Sequence, residues 1–202
     1  VETVKQFVEQ AMAAGIARFV LLSGRGEEEA QRAEQVLQNS GADWTIVRAG
    51  WFAQNFSESF LMDGVLAGQV VLPALSTKEP FVDADDIADV VVETLLNDHH
   101  IGQLYEVTGS RLMTFADGLR EISAACGRDI EFIEVSPDEY KELLIAHQLP
   151  EDMIWLIMYL FTTVLDGRNE HVNDGIQRAL GRPPKDFTDY ARDVAQTGAW
   201  AA

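Results

Sequence analysis

The sequence predicts an α/β chain: a parallel sheet with helices on both faces, followed by a helix-rich C-terminal lobe. Three observations carry this. Residues 1–48 read helix, strand, helix, strand, the repeating unit of a parallel sheet joined by right-handed crossovers. The first strand is a continuous apolar run, as expected of a strand covered on both faces. Near residue 110 the α/β alternation gives way to helical periodicity, so residues 1–110 and 111–202 are expected as two portions.

The elements follow in order. Val1, Val4, Val8, Ala11 and Met12 fall at helical spacing, and Gly15 stops that helix. Arg18-Phe-Val-Leu-Leu-Ser23 is the first strand, broken by Gly24-Arg-Gly26. The run 27–39 is a helix with Ala30, Ala33, Val36 and Leu37 inward, and Asp43-Trp-Thr-Ile-Val-Arg48 is the second strand. The run 51–67 reads as a loop entering a helix, and Val70-Val-Leu-Pro73 as a short edge strand, where proline is tolerated. Pro80-Phe-Val82 is a short extended piece. The run 83–97 is a strong helix whose first turn is crowded with acids. Gln103-Leu-Tyr-Glu-Val107 is a strand, and Thr114 caps a helix reaching Cys126. Asp129-Ile-Glu-Phe-Ile-Glu-Val135 alternates as a half-buried strand. Ser136-Pro-Asp-Glu139 opens a helix with proline at its first position. Helices are expected over 137–147, 151–166, 173–180 and 186–197.

Composition narrows the function classes. The chain has 202 residues, 47% hydrophobic and 24% charged, which is globular composition. Its 15 basic residues against 33 acidic ones give a formal net charge of −18, which repels phosphate backbones and argues against nucleic acid as a partner. A lone cysteine, Cys126, allows no internal disulfide and fits a reducing, cytoplasmic setting. No apolar run approaches the ~20 residues a membrane helix needs, so no membrane partner is expected. The start on Val1, in mid-helix and without an N-cap residue, suggests a segment upstream of this chain.

Candidate chemistry concentrates at the carboxyl ends of the strands, where open α/β sheets bind ligands. Gly24-Arg-Gly26 lies between strand and helix, as a dinucleotide fingerprint would. The third glycine is missing, however, and Glu27, Glu28 and Glu29 would repel a pyrophosphate at that helix start. Ser23 is placed to touch a cofactor or polarise a carbonyl, or simply to cap the next helix. Arg48-Ala-Gly-Trp-Phe-Ala-Gln-Asn55 brings charge, aromatic rings and amides to the same edge, and Gly50 permits close backbone approach. The acids Asp83, Asp85, Asp86 and Asp89 are accounted for by helix capping. The four histidines match no zinc spacing, so no metal is expected, and no G-x-S-x-G elbow is present. Cys126 reads as a small packed residue.

Five blocks now stand in order: Ala14-Gly-Ile-Ala-Arg-Phe-Val-Leu-Leu-Ser-Gly24, Ala33-Glu-Gln-Val-Leu-Gln-Asn-Ser-Gly41, Trp44-Thr-Ile-Val-Arg-Ala-Gly-Trp-Phe-Ala-Gln-Asn55, Phe81-Val-Asp-Ala-Asp-Asp-Ile-Ala88 and Tyr105-Glu-Val-Thr-Gly109. Together they resemble the NmrA-like family of atypical short-chain dehydrogenases/reductases, which includes type-2 NAD(P)H:quinone oxidoreductases and NADP-sensing regulators. The resemblance covers most of residues 1–135. It implies the later part of a Rossmann-like domain in residues 1–110 and a substrate or partner lobe in 111–202. The phosphate-binding fingerprint and the residue that selects NADP or NAD would lie upstream. It also implies that Ser23, Arg48, Ala49, Gly50, Trp51, Phe52, Gln54 and Asn55 meet the nicotinamide end of the cofactor.

The superfamily's Tyr-x-x-x-Lys pair is testable directly. None of Tyr105, Tyr140, Tyr159 and Tyr190 has lysine four residues on. The expected activity is therefore hydride transfer from NAD(P)H to a quinone-like or conjugated apolar acceptor by positioning. The acceptor site would be walled by Trp51, Phe52 and the apolar run 153–165. The alternative is a redox sensor that binds the cofactor and acts through a protein partner. A homodimer is one assembly the resemblance allows.

Overall fold

The computed structural model describes residues 1–73 and 76–201. Its centre is a three-stranded parallel sheet in the order β1 (Arg18–Gly24), β2 (Asp43–Ala49), β4 (Gln103–Val107). The register runs Arg18 to Asp43 and Gly24 to Ala49, then Thr45 to Gln103 and Ala49 to Val107, so all three carboxyl ends share one edge. A second, two-stranded parallel sheet pairs β3 (Gln69–Pro73) with β5 (Glu131–Val135). The proline ends β3, where no further ladder bond is asked of it.

Alternation along the strands sorts side chains to two helical layers. Phe19 packs with Val8, Ala11 and Leu37 of α1 (Glu2–Ala13) and α2 (Glu28–Gln38). Val47, Ala49, Tyr105 and Val107 face the other way, against Ile87 and Val90 of α4 (Ala84–Leu96) and Ile176 of α8 (Gly175–Leu180). Helices on both sides explain why the first strand reads as an unbroken apolar run. At Gly175 an added Cβ would fall 2.1 Å from the Glu106 carbonyl oxygen, so α8 can lie this close to β4 only through glycine.

The remaining helices are α3 (Met62–Ala67), α5 (Phe115–Cys126), α6 (Pro137–Ala146), α7 (Glu151–Tyr159) and α9 (Phe187–Thr197). With β3 and β5 they enclose an aromatic core of Trp51, Phe56, Phe81, Phe115, Phe161, Phe187, Tyr190 and Trp200. Rings meet edge-on, as Trp51 and Phe115 do at 5.2 Å and 89°. Both predicted capping sequences are formed. The Thr114 hydroxyl accepts from the Asp117 amide while the Asp117 carboxylate accepts from the Thr114 amide, and Ser136 and Glu139 repeat the exchange. Asp83 caps α4 by accepting from the Asp85 amide.

Two elements differ from expectation. The helix anticipated over 151–166 keeps α geometry to Tyr159 and then widens into one π turn, Leu160–Val164. Only one face of it is covered: Ile154, Ile157, Phe161 and Val164 are buried, whereas Trp155 is 66% exposed. The piece over 80–82 forms single bridges rather than a strand. Phe52 pairs with Val82 and Glu79 with Met113. Gly109 lets the chain pass here, because a Cβ on it would lie 2.0 Å from the Phe81 carbonyl oxygen.

Candidate functional site

A cleft of about 370 Å³ opens at the carboxyl edge of the sheet. Leu22, Ser23, Gly24, Arg25 and Glu27 line it from the end of β1, and Ala49, Gly50, Trp51, Phe52 and Asn55 from the segment after β2. Phe60 and, from the π turn, Leu160 and Val164 close the apolar wall. The ladder continues past the strand ends: the Arg25 amide donates to the Ala49 carbonyl (3.0 Å) and the Gly50 amide to that of Val107 (3.1 Å). These bonds hold the two loops side by side. The residues around Trp51 enter a short 3-10 turn, Ala53–Phe56, pinned by the Ala53 amide on the Val82 carbonyl at 2.8 Å.

Six of the eight residues singled out in the sequence thus line one cleft: Ser23, Ala49, Gly50, Trp51, Phe52 and Asn55. Ser23 is buried, and its Oγ has no hydrogen-bond partner, so it offers an unspent donor and acceptor. A Cβ added at Gly50 would meet the Pro80 and Val107 carbonyl oxygens only at ordinary contact, 3.6 and 3.8 Å. The protein's own packing leaves Gly50 free to be approached by a ligand.

The other two have structural work. The Arg48 guanidinium donates from Nε to Glu34 at 2.8 Å, from a second nitrogen to the same carboxylate, and to Glu106 at 3.1 Å. These bonds, those to Glu34 foremost, hold its pKa above the usual arginine value. Glu34 is buried in α2, so the ion pair ties α2 to the sheet. Gln54 donates to the Asp83 carboxylate (2.7 Å) and accepts from the Ala84 amide (2.8 Å), joining the cleft loop to the start of α4. Asp83 and Asp86, taken as capping acids, are buried and carry ion pairs as well, to Lys185 at 3.2 Å and Arg182 at 2.5 Å.

Beside the cleft lies a buried polar group the sequence did not announce. Arg25 is buried and donates to the Asn169 and His171 carbonyls, each at 3.0 Å. Burial lowers its pKa from the usual arginine value. Glu79 is 1% exposed, and neither carboxylate oxygen has a hydrogen-bond partner. Its burial raises its pKa to about 7 against the opposing pull of the Arg25 charge. Glu27, at the cleft, is likewise pushed up by burial. Phe60 and Arg25 were not anticipated as lining residues. Arg25 does follow a strand end directly, the same signal that picked out Gly50.

The donor set defines what can bind. Flat apolar walls, a free hydroxyl, an open glycine and a carboxamide suit a neutral aromatic amide. Glu27 to Glu29 at the start of α2 do not suit a pyrophosphate.

A parallel sheet helical on both faces, with its cleft outside the carboxyl ends of the strands, is a Rossmann-like arrangement. Residues 1–98 match the model of a family described as NAD(P)H-binding. It is 27% identical over 194 residues to the NAD(P)H azoreductase of Xenophilus azovorans, spanning 92% of this chain and 68% of that protein. It is 25% identical over 190 residues to prestalk A differentiation protein A of Dictyostelium discoideum, covering 93% of this chain but 63% of that protein. In structure it is similar to the Escherichia coli NADPH-dependent quinone oxidoreductase QOR2 in its NADPH complex. There the TM-score is 0.81 with 18% identity, over 95% of this chain and 70% of that one. Among the described residues no helix is long and apolar enough to cross a membrane.

Proposed function

We propose that this chain serves an NAD(P)H-dependent reductase that delivers hydride to a flat, conjugated acceptor. The observation that carries the reading is the cleft itself, where aromatic walls and an unsatisfied buried Ser23 hydroxyl meet outside the strand ends. Bound nicotinamide would supply the hydride. Ser23 and Asn55 would hold its carboxamide, Ala49 and Gly50 would let it approach the backbone, and Trp51 and Phe52 would flank the ring. Phe60, Leu160 and Val164 would exclude water from the acceptor. Arg48 and Gln54 act at one remove, by fixing the cleft loop. On this reading residues 1–110 serve the cofactor and 111–202 the acceptor. A conjugated acceptor agrees with the activity named for the azoreductase relative.

Three of the four tyrosines are tuned away from proton donation. Burial pushes Tyr140 up to about 12 and raises Tyr105 and Tyr190 as well, the opposite of the tuning a general acid near neutrality needs. Conjugated acceptors that take their proton from water tolerate this. The same fact favours one second reading, a cofactor-binding sensor without turnover.

The test is oxidation of NADPH and NADH with a panel of quinones and azo dyes, run on the full-length protein that carries this chain, beside cofactor binding by fluorescence. Turnover with at least one conjugated acceptor is expected. Ser23→Ala should weaken cofactor binding about fivefold, one lost hydrogen bond, with thermal stability unchanged. Binding without turnover on any acceptor selects the sensor. Unchanged binding in Ser23→Ala removes the cleft from the cofactor.

A further inference from the structure

At the opposite end of the sheet from the cleft, three residues converge that sequence spacing does not connect. Glu93 lies in the last turns of α4, and His99 and His100 form the short turn before β4. One ligand atom from each lies within 4.8 Å of the other two. We infer that Glu93, His99 and His100 form a binding site for a divalent cation of the zinc class, independent of the reductase cleft.

The side chains are held as ligands are held. His100 is 1% exposed, and its carbonyl accepts from the Thr45 hydroxyl at 2.8 Å, which fixes the turn to β2. Its Nδ1 lies 2.7 Å from the Tyr105 hydroxyl oxygen and its Nε2 3.5 Å from a Glu93 carboxylate oxygen. That same oxygen accepts from the Asn97 carboxamide at 2.7 Å. Tyr105 and Asn97 are thus the outer partners that orient a histidine and a carboxylate ligand.

The spacing favours a metal over a direct bond. A nitrogen and an oxygen each about 2.1 Å from one ion at a tetrahedral angle stand roughly 3.4 Å apart. The observed 3.5 Å matches this and is at the outer limit for a hydrogen bond. When Nδ1 donates to Tyr105, the Nε2 lone pair faces a carboxylate oxygen, and a cation between them relieves that repulsion. The exposed His99, its ring centroid 3.8 Å from that of His100, supplies the third ligand and leaves a side open to solvent. Two imidazoles and one carboxylate select zinc-like ions over magnesium or calcium. Bound metal would clamp the end of α4 to the start of β4.

The experiment uses untagged, metal-stripped protein titrated with zinc chloride by calorimetry and followed by thermal unfolding. One-to-one binding is expected, with Tm raised by roughly 5–10 °C at a hundredfold excess over Kd. Cobalt(II) at the site should show the intense visible bands of a tetrahedral complex. Glu93→Gln and His99→Ala, neither buried, should each weaken binding at least tenfold, whereas the distant His147→Ala should not. Absence of saturable binding, or zinc binding unaltered in both variants, overturns the proposal. Cofactor binding measured on the same variants should be unchanged, so this test and that of the cleft fail separately.

Discussion

Replacing Glu79 by glutamine should change how stability depends on pH more than it changes stability itself. The carboxyl is enclosed beside Arg25 without a hydrogen-bond partner, and its pKa moves from 4.5 to about 7 on folding. Below 4.5 both states hold the proton and the group is silent. Above it the unfolded chain releases the proton while the folded protein keeps it, so stability falls as pH rises until the folded carboxyl also ionises near 7. Each pH unit in that interval costs about 1.4 kcal/mol, which makes the whole interval worth about 3 kcal/mol. Glutamine fills the same space and stays neutral. Glu79→Gln should therefore match the parent near pH 5 and exceed it by about 2–3 kcal/mol near pH 8, or roughly 5–10 °C in Tm. Urea and thermal unfolding across that range measure it. Parallel pH profiles for the two proteins would show that the carboxyl titrates normally, and the buried-acid reasoning would fail.

Two further predictions concern the frame of the cleft. Glu34→Gln leaves the Arg48 guanidinium facing Glu106 alone and should destabilise by about 3 kcal/mol, the usual cost of breaking a buried pair; a loss under about 1 kcal/mol in denaturant titration would show the pair to be solvent-screened. Gly109→Ala should cost about 3 kcal/mol or more, since its Cβ would press on the Phe81 carbonyl oxygen, whereas Gly50→Ala should be close to neutral. Equal Tm values for the two alanine variants would refute that contrast.

What could be read from the sequence is what is local. Periodicity placed the helices and strands, and the Thr114 and Ser136 caps formed as their residue types require. Strand-end logic located Ser23, Gly50 and Trp51 at one edge, because a parallel sheet puts its carboxyl ends together whatever else the chain does. What could not be read depends on contacts between distant segments. Arg48 looks like a ligand-edge charge until α2 brings Glu34 against it. Arg25 meets Asn169 and His171 across 144 and 146 residues. Glu93, His99 and His100 have no zinc-finger spacing, because a helix end and a turn supply the proximity that a motif would otherwise encode.

The net charge of −18 takes on a sharper meaning from the same contacts. Glu34, Glu79, Asp83 and Asp86 are all buried, so part of the acidic count is interior. Three of them are ion-paired, to Arg48, Lys185 and Arg182, and Glu79 faces Arg25. Because each buried acid is matched by a cation, the interior contributes little net charge, and the excess of acids resides on the surface. Glu27 lines the cleft, and Glu28 and Glu29 follow it in the first turn of α2. A phosphate there would be repelled by all three, whereas an uncharged ring and amide would not. On the proposed reading the cleft therefore discriminates between the two ends of a dinucleotide: its uncharged walls suit the nicotinamide, and the diphosphate would be held by groups other than those at the start of α2.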